Sequence, residues 1–105
     1  MEKVNKNYMI YEEARKKVKL HIQELSIDED HTLVVIEEMT IEKDFGWVFF
    51  YNSKKYLETQ SFSDMIVGNA PILISRKDGA MHETGTAEPV EYYAENFEKY
   101  GRCYP

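Results

Sequence analysis

The chain has one cysteine, three prolines and five glycines in 105 residues, and each scarcity excludes something. Cys103 alone can form no internal disulfide, which fits a reducing compartment and a cytoplasmic location. There is no Gly/Ser-rich tract, no internal repeat and no low-complexity segment, so a linker-dominated chain is excluded. Apolar runs stop at four or five residues, as in Trp47 to Tyr51 and Ala70 to Ile74. That is far short of the ~20 needed to span a bilayer. The opening Met1-Glu2-Lys3-Val4-Asn5-Lys6 carries no apolar signal-peptide core, and no membrane association is expected. Basic residues are outnumbered, 13 against 19 acidic ones, for a formal charge of -6. A concentrated cationic face for phosphate is therefore not expected, which argues against nucleic acid as a partner.

Apolar and aromatic residues are plentiful, at 43% and 13% of the chain. A chain this long buries roughly two-thirds of its extended surface. These figures predict one folded domain over residues 1–105 and exclude disorder as its main state.

Hydrophobic spacing predicts the elements. Ile10, Ala14, Val18, Ile22 and Leu25 recur at intervals of four and three and mark an amphipathic helix. Its Arg15, Lys16, Lys17 and Lys19 read as a solvated face. Thr32 to about Thr40 reads as a strand, and Glu42 to Gly46 as a turn into the aromatic strand Trp47 to Tyr51, making a hairpin. Residues 53–63 read as an ordered loop over the core, with Tyr56, Leu57 and Phe62 interleaved. Ala70 to Ser75 supplies a third strand, with Pro71 at its start or on an edge. Asp78-Gly79 turns the chain into a fourth strand over residues 80–84. Pro89 opens a last helix through Tyr100, and Gly101 ends it in a left-handed conformation. The expected fold is α+β: an antiparallel sheet of about four strands, with the N-terminal and C-terminal helices packed on one face.

Signals for chemistry are weak. Cys103 lies at a chain end with nothing nearby to activate it. His82 and Glu83 could form half of an acid-base pair, but no nucleophile accompanies them. Asp28-Glu29-Asp30-His31 offers ligands for a divalent cation yet lacks the glycine and distal glutamate of a calcium loop. Residues 68–71 lack the glycine spacing and lysine of a phosphate loop. No catalytic, cofactor-binding or metal-binding residues are expected.

The aromatics are more informative. Alternate residues of a strand point to opposite faces, so some of Trp47, Phe49, Phe50 and Tyr51 lie away from a helix-covered side. With Tyr56 and the carboxylates Glu37, Glu38, Glu42, Asp44 and Glu58 they would make an aromatic, acidic surface. Trp47, Tyr51 and Tyr56 are the candidate anchors and the five carboxylates the steering charges for a basic protein partner. The alternative places Trp47 and the phenylalanines in the core, with the carboxylates only solvating the exterior. A strand on the sheet edge, such as the one starting near Pro71, is a second place where a partner or another copy could pair.

From Gly46 to Tyr93 the chain also resembles the immunity protein 35 family, also described as YrhB-like domains. The resemblance rests on the order of several motifs: Gly46-Trp47 through Tyr51-Asn52, Tyr56-Leu57-Glu58-Thr59, Gly68-Asn69-Ala70-Pro71, Asp78-Gly79, and Gly85-Thr86-Ala87 ahead of Pro89 and Glu91-Tyr92-Tyr93. Gln60 stands where the pattern leads one to expect a glycine. The resemblance implies a small α+β protein, encoded beside a polymorphic toxin, that neutralises the cognate toxin by binding it and carries no catalytic residues. It also allows a chaperone-like role in general protein interaction.

Overall fold

The computed structural model describes residues 9–25, 32–65 and 69–104. Asp28 to His31 and Gly68 lie outside the described residues, so the cation-ligand reading of the first segment is not addressed by the fold. The chain runs α1 (Tyr11–Leu25), β1 (Leu33–Val35), β2 (Ile41–Lys43), β3 (Gly46–Phe49), β4 (Tyr51–Ser53), α2 (Lys54–Thr59), β5 (Ile72–Ser75), β6 (Met81–Glu83) and α3 (Val90–Tyr100). Short 3-10 turns at Glu37–Met39 and Phe62–Asp64 interrupt it. All strand pairs are antiparallel, as the α+β reading expects.

The expected hairpin is present, but it is bent into two ladders. β2 pairs with β3 in the register Ile41 to Val48, and β1 pairs with β4 in the register Val35 to Tyr51. The first arm therefore carries three more residues than the second across the bend, and the 3-10 turn Glu37–Met39 takes up the excess as a bulge. The bulge carries Glu37 to α1, where Tyr11 Oη donates to Glu37 Oε1 at 3.1 Å and Arg15 Nε donates to Oε2 at 2.6 Å. The split leaves a two-stranded sheet, β1-β4, and a four-stranded sheet in the order β2-β3-β5-β6. β5 is an interior strand, so the expectation of a free edge near Pro71 is corrected. Pro71 sits just before it, as its missing N–H requires: its carbonyl accepts from Thr84 N at 3.2 Å, and it has no amide to return.

The two terminal helices cover opposite faces of the sheet, which corrects the expectation of one shared face. Ala14, Val18 and Ile22 of α1 pack with Trp47, Phe49, Ile72 and Ile74, whereas Tyr93 and Phe97 of α3 pack with Val48 and Leu73. The reason lies in β3 and β5, each apolar at every position from Trp47 to Phe49 and from Ile72 to Ile74. A strand apolar on both sides needs two covers, each fully buried aliphatic side chain contributing about 1.5–3 kcal/mol. The ends of the predicted α1 stripe, Ile10 and Leu25, are exposed.

Gly46 makes the tight approach of β3 to β5 possible. Its φ is 151°, and a Cβ there would sit 1.9 Å from the Ile74 carbonyl oxygen. Residues 53–63, expected as an ordered loop over the core, instead carry α2 and the start of the 3-10 turn Phe62–Asp64. Ser53 Oγ accepts from Tyr56 N at 2.9 Å and so caps α2. Gln60 closes α2 with φ 59° and ψ 22°, the left-handed conformation for which a glycine is the usual choice. Gly101 ends α3 in the same way, as expected.

Candidate functional site

The bend that splits the sheets also opens a groove. The β3–β5 ladder ends at Phe49 and Ile72, and continuing its register would set Tyr51 against Ala70. Instead the Tyr51 carbonyl accepts from the Asn69 side-chain amide at 2.5 Å, and the backbones part. Beside them lies a groove of about 370 Å³ lined by Ile36, Met39, Phe50, Tyr51, Asn52, Tyr56, Met65, Asn69 and Pro71. Its lining is aromatic and thioether-rich, a composition that adapts well to a partner's side chains.

The turn after α2 is tied down from three directions. Asp64 Oδ2 accepts from Thr59 Oγ1 at 2.6 Å, Asp64 Oδ1 lies 3.8 Å from Lys55 Nζ, and the Asp64 carbonyl accepts from Ser53 Oγ at 2.5 Å. This bracing presents Phe62, which is 83% exposed. A phenylalanine projecting from a braced turn is the kind of side chain that anchors an interface. Residue order alone did not reveal it, because an aromatic in a polar segment reads equally as a core plug. Met65, three residues on, lines the groove, so Phe62 and the groove belong to one region.

The predicted anchors separate. Trp47 is 1% exposed beneath α1 and Arg76 and presents no surface to a partner, because an inward position of a central strand faces a helix. Tyr51 is 9% exposed, and its phenol is pushed up from its usual pKa by burial and then by the nearby Glu83 charge. Tyr56 is half-buried, and together with Tyr51 it lines the groove. The carboxylates separate too. Glu37 is held by Arg15 and Tyr11, and the Arg15 hydrogen bond lowers its pKa. Glu42 lies 3.3 Å from Arg76. Glu38, Asp44 and Glu58 are exposed and make no ion pair among the described residues. Of these, Glu38 stands on the 3-10 turn and Glu58 on α2, the two elements that carry Met39 and Tyr56 into the groove.

The geometry does not assemble the His82–Glu83 pair. His82 packs edge-on against Phe97 on the α3 side, while Glu83 reaches His21 of α1 at 4.0 Å. Neighbouring strand residues face opposite ways, so these two cannot act on one group. A smaller pocket of about 200 Å³ joins His21, Tyr51, Asn69, Glu83 and Thr84, with no cysteine or serine among its lining. Cys103 is buried, which raises its thiol pKa. Among the described residues no three metal-ligating side chains cluster, and no helix is long and apolar enough to cross a membrane.

Comparison with known proteins adds a relationship to this geometry. A family model described as Immunity protein 35 matches residues 12–99. Among curated proteins, the uncharacterized protein YrhB of Escherichia coli (strain K12) is 38% identical over 53 residues, which cover 50% of this chain and 56% of that protein. The match thus spans about half the length of each. No solved structure matches the chain significantly.

Proposed function

The chain belongs to the immunity protein 35 family, and from that premise we propose that it neutralises a cognate protein toxin by binding it directly. The match over residues 12–99 is the observation that carries this reading. The contact face is the region of the Tyr51–Tyr56 groove and Phe62, with Glu38, Asp44 and Glu58 as the carboxylates left to steer a basic partner. An interface of standard size buries roughly 1,600 Å² in total, and a projecting aromatic beside an apolar groove supplies its central anchor.

The test is capture of the partner from the native host with the tagged protein, followed by calorimetry on the purified pair and a growth assay of toxin-expressing cells. One partner at equal stoichiometry, whose toxicity this protein relieves, is the expected outcome. Phe62→Ala is expected to weaken binding about tenfold or more, because a hot-spot truncation costs at least about 1.4 kcal/mol. It should leave thermal stability unchanged, since the ring is solvated. Glu38→Lys with Glu58→Lys should slow association and reduce its salt dependence. Weak binding to many unfolded clients, with no toxin relieved, would instead favour the chaperone-like role.

A further inference from the structure

We propose that the pocket between α1 and the end of β6 receives an arginine side chain of the protein partner. This deepens the direct-binding reading above and rests on it for the partner's identity.

The fold brings three polar side chains to this pocket. Glu83 pairs with Ile72 across the β5–β6 ladder and so shares its face, the one that α1 covers. Tyr51 packs in the same cluster beneath α1, and His21 comes from the last part of that helix. Together with Thr84 they line about 200 Å³.

The oxygens there are acceptors in want of a donor. Tyr51 is 9% exposed, yet its hydroxyl makes no hydrogen bond among the described residues. Glu83 accepts none either: His21 Nε2 lies 4.0 Å from its Oε2, beyond hydrogen-bond reach. Thr84 Oγ1 spends its proton on the Pro71 carbonyl at 2.6 Å and has only lone pairs left to offer. Burial, and then the Glu83 charge, raise the Tyr51 phenol, which sets the two groups within one field. The last turn of α1 carries no basic residue, so the partial negative charge at that helix end adds to the carboxylate.

This chemistry selects a singly charged, donor-rich group. One carboxylate is too little for a divalent metal, and no three metal-ligating side chains cluster among the described residues. The volume falls below the ~300 Å³ where pockets for whole small molecules begin, and suits a single side chain. A guanidinium offers a fork for both Glu83 oxygens with donors to spare for Tyr51 and Thr84, and it gives up its water more readily than an ammonium. Continuity names the source. Tyr51 and Asn69 line both this pocket and the groove of the contact face, so a partner seated on the groove also covers the pocket.

The probe is a capped glycine-arginine-glycine peptide, titrated into the full-length protein while amide resonances are followed. The expected result is saturable binding on the order of 1 mM, with the largest shifts at His21, Glu83 and Thr84. The same peptide with citrulline, which is neutral and of nearly the same shape, should bind about tenfold or more weakly. Glu83→Gln should weaken arginine binding to the same degree, and Tyr51→Phe about threefold; should either variant not fold, the citrulline comparison on the unaltered chain decides. No binding, equal affinity for citrulline, an unchanged affinity in folded Glu83→Gln, or shifts confined elsewhere would each overturn the proposal. A lysine peptide that binds as well would overturn the assignment to arginine, and free arginine binding about tenfold tighter than the capped peptide would overturn the assignment to a partner's side chain. Arginine binding without toxin relief would leave the pocket standing and remove the immunity role, whereas toxin relief without arginine binding would do the reverse.

Discussion

The Arg76 guanidinium lies over the Trp47 ring, 4.4 Å from its centroid, and braces the turn end of the β2–β3 hairpin. Its Nε donates to the Asp44 carbonyl at 3.1 Å, while Nη2 donates to the Lys43 carbonyl at 2.8 Å and lies 3.3 Å from Glu42 Oε2. One residue thus caps a turn, roofs the largest core side chain and pairs with a carboxylate.

These roles are separable by mutation. Arg76→Ala removes the stack and the carbonyl bonds and should cost about 2 kcal/mol in urea unfolding. Glu42→Gln removes only an ion pair whose carboxylate side chain is 68% exposed, and should cost under about 0.5 kcal/mol. Equal losses for the two would show that the ion pair, rather than the stack and turn, carries the effect.

Gln60 occupies a left-handed position with φ 59°. The strain of a side chain there is about 1–2 kcal/mol, partly offset by the Gln60 Nε2 bond to the Leu57 carbonyl at 3.1 Å and by the lower backbone entropy of a non-glycine residue in the unfolded chain. Gln60→Gly should therefore stabilise the protein by about 0.5–1 kcal/mol, read as a higher melting temperature; Gln60→Ala, which keeps the strain and loses the bond, should lower it.

Glu37 links the bulge to α1, and the Arg15 hydrogen bond holds its carboxyl below the usual range. A carboxyl lowered in the folded state binds protons more tightly when unfolded. Its contribution is thus complete above the ordinary carboxylate range and is lost as pH falls through the folded value. Both side chains are more than a third exposed, so screening limits the effect to under about 1 kcal/mol. Comparing urea midpoints at about pH 7 and about pH 3, Glu37→Gln should narrow the difference shown by the unaltered protein; an unchanged difference would assign the acid sensitivity to other carboxyls.

Cys103 is 3% exposed, and its thiol is pushed up from the ordinary value by burial. A buried, protonated thiol is a poor nucleophile. Reaction with a thiol-specific reagent at neutral pH should be slow in the native protein and fast in denaturant. Rapid native labelling would show that the segment after Gly101 opens away from α3.

Several features were legible in the residues because they depend on neighbours in the chain. The periods of Ala14, Val18 and Ile22 and of Tyr93 and Phe97 placed both long helices, the Asp78-Gly79 turn placed the β5–β6 hairpin, and Gly101 placed the end of α3. The family resemblance, and not the neighbouring residues, led to the expectation of a glycine at position 60, where Gln60 takes the left-handed conformation. Tyr51 and Tyr56 were picked as partner residues, and the structure brings them to one groove, although it buries Trp47, which the same reasoning had picked.

What the sequence determined by itself is the local part: the two long helices, the main extended segments, most of the turns, an acidic composition and an antiparallel α+β class, though not the short helix α2. Tertiary structure decided the rest. It alone set the helices on opposite faces, because a strand apolar on both sides accepts a cover from either, and which helix takes which face depends on the packed whole. It alone bent the hairpin, since a three-residue mismatch appears only when two strands are laid side by side. The bend parts β4 from residues 69–71 and opens the groove. These features arise from contacts between residues far apart in the chain, and such contacts leave no periodic trace in the order of amino acids.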